Sequence, residues 1–163
     1  MIAISACLCG TNCRYDGRNS YRKVLMEKLA TEDVLPICPE QLGGLPTPRT
    51  PARIIGGTGY DVLDDTARVI NDEGQDVTGH FLRGAFVALE MLRKHSVSKC
   101  YVKDKSPSCG FGKEIEMDNR KIETFAKLPV LQRSRTIGVC AALFDREGIE
   151  VIEVSLQFTE QCH

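Results

Sequence analysis

The sequence predicts an α/β fold, Rossmann-like, with a mainly parallel central sheet flanked by helices, in a single domain spanning residues 1–163. Short apolar runs alternate with segments of helical periodicity, the pattern of strands joined by helical crossovers. Three of those runs lead into loops that carry cysteine. A composition of 42% hydrophobic and 26% charged residues is that of an ordinary globular domain.

Met1 to Ala6 reads as a short buried strand ending at the cluster Cys7 to Asp16. Tyr21 to Ala30 reads as a helix with Val24, Leu25 and Leu29 on its apolar side and Ser20 as N-cap. Val34 to Ile37 is a second strand, entering Cys38-Pro39-Glu40, and Gln41 to Pro51 is a loop rich in Gly and Pro. Arg53 to Ile55 and Ala67 to Ile70 read as strands joined by a Gly- and Asp-containing loop. Thr78 to His95 carries Phe81, Leu82, Ala85, Phe86, Leu89 and Leu92 at helical spacing. Lys99 to Lys103 is a further core strand, running into Ser106-Pro107-Ser108-Cys109-Gly110. Residues 111–134 suggest a hairpin and an irregular segment. Ile137 to Arg146 reads as a helix ended near Gly148, followed by strand Ile149 to Val154.

The 21 basic and 22 acidic residues nearly cancel, which argues against a nucleic-acid-wrapping or membrane-adhering surface. No apolar run is long enough to span a bilayer. The opening MIAISACLCG lacks a basic leader, so a cytoplasmic location is expected. Eight cysteines are then too many to ignore, because in a reducing compartment they indicate metal or thiol chemistry rather than disulfides.

Several familiar sites fail on spacing. A phosphate-cradling cysteine loop needs five residues between Cys and Arg; Cys9 to Arg14 has four and Cys7 to Arg14 has six. Gly56-Gly57-Thr58-Gly59 lacks the glycine spacing of a nucleotide loop, and Tyr60 to Asp65 is a poor helix start. Paired CxxC motifs of a structural zinc site are absent. Cys100, Cys140 and Cys162 read as structural, His80, His95 and His163 as surface residues, and Lys103, Asp104 and Lys105 as a solvated face.

What survives is convergence. In a parallel sheet, ligands bind beyond the carboxyl ends of the strands, at a switch in strand order. Cys7, Cys38 and Cys109 all follow strand ends, so parallel neighbouring strands would bring these three soft thiols to one rim. Cys38-Pro39-Glu40 adds a carboxylate beside a thiol, and Ser106 to Gly110 packs two hydroxyls and a thiol into one turn.

Taken together, Ser5-Ala6-Cys7-Leu8-Cys9-Gly10, Cys13-Arg14-Tyr15-Asp16-Gly17, Cys38-Pro39-Glu40, Gly43-Gly44-Leu45-Pro46-Thr47-Pro48-Arg49 and Ser106-Pro107-Ser108-Cys109-Gly110 resemble the thiouracil desulfurase family. Ile137 to Leu143 and Gly148-Ile149 fit its final helix and strand. The resemblance implies a 4Fe–4S cluster held by Cys7, Cys38 and Cys109 with one iron open. It implies Glu40 as catalytic acid–base, Ser106 as assisting hydroxyl, and Cys9 and Cys13 as dispensable. The implied reaction is non-redox removal of sulfur, as sulfide, from a thiolated pyrimidine base or nucleoside. A near-neutral chain favours a free thiolated base over thiolated tRNA. Phe111 onward departs from the glycine-rich hairpin of that family. The competing expectations are a cluster- or zinc-binding module without turnover and a metal-free persulfide carrier using Cys109.

Overall fold

A computed structural model of the protein describes residues 1–112 and 137–155. Four strands form a parallel sheet in the order β2-β1-β5-β6: β1 (Ile2–Ser5), β2 (Val34–Ile37), β5 (Lys99–Lys103) and β6 (Glu150–Val154). β1 lies between β2, with Ile2 opposite Val34 and Ser5 opposite Ile37, and β5, with Ala3 opposite Cys100. β5 in turn pairs with β6. After β2 the chain crosses over β1 to reach β5, so strand order reverses beside β1. Pro36 offers no amide hydrogen and is tolerated because β2 is an edge strand.

The expected two-sided layering is present. On one face Ala3, Cys100 and Val102 pack with helix α4 (Thr78–Lys94) and helix α5 (Val139–Arg146). On the other, Ile4, Tyr101 and Val154 pack with Leu8 and with Leu25 and Leu29 from the region of α1 (Lys23–Lys28). Alternate residues of β1 and β5 thus face opposite layers, as strand geometry requires. Outside the main sheet, β3 (Ala52–Ile55) and β4 (Arg68–Asn71) pair antiparallel.

Local differences from the sequence reading have physical causes. α1 is shorter than Tyr21 to Ala30, and Arg22 rather than Ser20 precedes it, because the amides of Ser20 and Arg22 bond to the carbonyls of Cys7 and Leu8. Ser20 is buried and accepts from the Arg14 guanidinium at 2.9 Å, while Val24 is exposed. A short helix α3 (Gly59–Leu63) interrupts the expected loop between β3 and β4. Its start is secured by a capping box, in which the Asp61 carboxylate accepts from the Thr58 amide at 2.7 Å. Phe86 is exposed because the buried stripe of α4 runs through Phe81, Ala85, Ala88, Leu89 and Leu92. Ile137 forms a bridge with Phe111 and α5 begins at Val139. The hairpin expected within residues 111–134 lies almost wholly outside the described residues, as do Cys162 and His163.

A second short helix, α2 (Pro39–Leu42), replaces the start of the expected Gly- and Pro-rich loop, with proline in its first turn. It crosses α4 backbone to backbone. A Cβ on Gly84 would stand 1.7 Å from the Pro39 carbonyl oxygen, and one on Gly43 would stand 2.0 Å from that of His80. No side chain can occupy that seam without moving α2. Gly84→Ala is therefore expected to lower stability by about 1–3 kcal/mol, read as a fall in the urea midpoint at unchanged slope.

Candidate active site

Three loops leave the carboxyl ends of β1, β2 and β5 and meet around a cavity of about 600 Å³. That volume is in the range of small-ligand sites. Its lining includes Cys7, Cys13, Cys38 and Cys109, together with Glu40, Arg49, Asp104 and Ser106.

Each loop is fixed by its own backbone bonds. Cys7 sits in a 3-10 turn, Ala6–Cys9, closed by Gly10 in the left-handed region at φ 97°, where a side chain would be strained. Cys38 lies immediately before α2, and Glu40 projects from the first turn of that helix. Around Cys109, the Ser106 hydroxyl oxygen accepts from the amides of Ser108 at 3.2 Å and Cys109 at 3.0 Å. The carbonyls of Pro107 and Ser108 accept from Val139 and Cys140, both at 2.9 Å, so this turn satisfies the free amides that open α5. Gly138 makes the approach feasible, since a Cβ there would lie 2.4 Å from Ser108 backbone.

The thiols are close enough to influence one another. Cys38 is pushed far up by its contact with the Cys13 thiol and by burial. Cys13 is drawn down by Cys38, but its contact with Cys7 and its burial outweigh that and carry it to about 11. Burial lifts Cys109 to about 12, against the hydroxyls of Ser5 and Ser108. Ser5 accepts from the Lys103 amide at 3.0 Å, which leaves its proton free for sulfur. The Ser108 hydroxyl is buried without a nitrogen or oxygen partner in the described residues. Cys13, Cys38 and Cys109 are therefore held as neutral thiols, and a metal ion or cluster that took their sulfurs would release protons.

Some placements differ from the sequence reading. Cys13 is buried in the cavity wall between Cys7 and Cys38, whereas Cys9 is half-buried and does not line the cavity. Lys103 and Asp104 are no solvated face: the Lys103 ammonium donates to the Asp104 carboxylate at 2.7 Å, and Asp104 is buried. His80 is exposed, as the sequence reading has it, and also borders the cavity, with Nδ1 2.8 Å from the Gly43 carbonyl oxygen. Cys100 and Cys140 are core residues, as expected. Arg49 is the contribution the sequence reading gave no role. Its guanidinium pairs with Glu40, and the two side chains are 6% and 16% exposed. The TPR triplet that contains it carried no signal of its partner, which is nine residues away on another element.

Among the described residues, no group of three or more His, Cys, Asp or Glu surrounds a common point as ligands of a single metal ion. A cubane cluster makes a different demand, because its irons sit at separate corners and take one thiolate each. Thiols delivered by three separate strand ends, around a cavity with room for a bound group, fit that donor pattern.

The 2-thiouracil desulfurase family model matches residues 2–155. A Bacillus subtilis (strain 168) protein, the uncharacterised YbbK, is 42% identical over 112 residues, covering 69% of this chain and 74% of its own. The solved structure of TudS, a [4Fe-4S]-dependent thiouracil desulfidase, is 34% identical and superposes with a TM-score of 0.71 over 93% of this chain and 89% of its own.

Burial also raises Cys100 and Cys140 well above the ordinary value of 9.0. The folded protein thus keeps thiol protons that the unfolded chain gives up, so their stabilisation is complete below pH 9 and is lost as pH rises above it. The urea midpoint of reduced, metal-free protein should fall from pH 8 to pH 10.5, and Cys140→Ala should make that decline shallower.

Proposed function

The chain belongs to the 2-thiouracil desulfurase family, and we propose that it removes the sulfur of a thiolated pyrimidine as sulfide, turning the thiocarbonyl into a carbonyl without net redox change. The observation that carries this reading is the meeting of Cys7, Cys38 and Cys109 with Glu40 and Ser106 around one cavity. The likeness to TudS supports a [4Fe–4S] cofactor. Cys7, Cys38 and Cys109 would hold it, and with three protein ligands it would supply a thiophilic Lewis-acid iron for the thiocarbonyl sulfur.

The remaining chemistry belongs to the side chains. Glu40 accepts a proton from water as the water oxygen adds to the ring carbon that bears sulfur. Collapse of that adduct expels the sulfur, so water and thiocarbonyl become carbonyl and hydrogen sulfide, with every electron pair accounted for. Ser106 already accepts two backbone amides, so its own proton is the one it can offer to the reacting group. The cavity suits a free thiolated base or nucleoside, and the small net charge disfavours tRNA.

The test is anaerobic reconstitution followed by assay with 2-thiouracil, 4-thiouracil and 4-thiouridine, monitoring sulfide release. Full activity in colourless, iron-free protein would overturn the cluster-dependent reading. Alanine at Cys7, Cys38 or Cys109 should abolish visible absorption and turnover together, whereas Cys9→Ala should spare both. Glu40→Gln should lower turnover per bound cluster about 100-fold while cluster binding persists. Ser106→Ala should show a smaller loss. Because Glu40→Gln also leaves Arg49 without its counter-ion, a lower melting temperature should accompany the lost turnover.

A further inference from the structure

We propose that Arg49 is a positioning residue that holds the Glu40 carboxylate toward the reacting centre, an inference that rests on the desulfurase reading above. The guanidinium is engaged on both terminal nitrogens. Nη2 donates to Glu40 Oε2 and, at 2.9 Å, to the carbonyl oxygen of Cys13. Nη1 donates to the Pro46 carbonyl oxygen and to Thr47 Oγ1, both at 3.2 Å. Behind the side chain, the Arg49 amide donates to the Tyr15 carbonyl oxygen at 2.9 Å. One nearly buried cation therefore joins the Cys13–Tyr15 segment, α2 and the Pro46–Pro48 strap.

The helix bearing Glu40 is tied to the same point. Gln41 Nε2 donates to Thr47 Oγ1 at 2.8 Å, and the Leu45 amide donates to the Glu40 carbonyl oxygen at 3.1 Å. α2 is only four residues long and cannot hold a side chain rigidly by itself. The fork supplies that rigidity. It grips Glu40 through Oε2, while Oε1 has no hydrogen-bond partner among the described residues and stays available to water. Lysine could pair with the carboxylate, but its single ammonium cannot reproduce a planar fork reaching Glu40, Cys13, Pro46 and Thr47 together. Charge alone is thus insufficient for the task, and geometry is the variable to test.

The parental, reconstituted enzyme is first shown to release sulfide from 2-thiouracil; absence of that activity refutes the desulfurase reading itself. With activity established, Arg49→Lys should lower kcat per bound cluster at least 10-fold, leave KM within about twofold and retain parental iron per chain. In the metal-free protein, carbodiimide-promoted amine labelling of Glu40, measured by mass spectrometry, should rise several-fold. A parental kcat, or a loss accounted for wholly by lost iron, overturns the proposal. If Arg49→Lys fails to fold, Thr47→Val carries the test. It removes one acceptor from the same guanidinium and keeps its charge, so kcat should fall about threefold at constant KM; an unchanged kcat overturns the proposal.

Discussion

Parallel hydrogen bonding on both edges of β1 is the constraint from which the cavity follows. Parallel pairing aligns the carboxyl ends of β2, β1 and β5, and the register of Ser5 with Ile37 brings the loops after β1 and β2 level with each other. Residues far apart in sequence become neighbours because their strands end on one rim. An antiparallel partner on either side would have sent Cys38 or Cys109 to the other end of the sheet. The two hydrophobic layers then hold the strands in that alignment.

On this rim, electrostatics and packing perform different work. The buried thiols are neutral and soft, suited to a group that replaces their protons. The buried ionic groups are paired, Glu40 with Arg49 and Lys103 with Asp104, as desolvation demands. A buried pair of this kind adds little net stability over apolar packing, although losing either partner is costly. Its value lies in fixing where a charge points. The site therefore keeps charged groups at fixed orientations beside thiols whose protons are exchangeable for metal.

Much of this was legible in the chain. Strand ends could be read because Ile2 to Ser5, Val34 to Ile37 and Lys99 to Lys103 are short apolar runs that stop at cysteine-bearing loops. Periodicity found α4 but not its exact orientation, since Phe86 lies just beyond the edge of a narrow buried stripe. Helices α2 and α3 escaped because four or five residues give too few turns for a period; proline and a capping box, respectively, mark their starts. The role of Arg49 was hidden for a different reason. Nothing local in Pro48-Arg49-Thr50 states that its partners are Glu40 and the Cys13 carbonyl, which only the meeting of loops reveals. His80 is on the surface as read, and only the meeting of elements reveals that it also borders the cavity.

The bonds from Val139 and Cys140 to the turn of Pro107 and Ser108 give the protein a direction in time. During synthesis the chain emerges from its amino end, so Cys38 precedes α5 by about a hundred residues and Cys7 by about 130. The seat of Cys109 lacks those supporting amides until residues 138–140 have left the ribosome. Until then Cys7 and Cys38 stand without Cys109 in its finished setting on the rim. The architecture thereby makes completion of the rim wait on the helix that joins α4 in its layer.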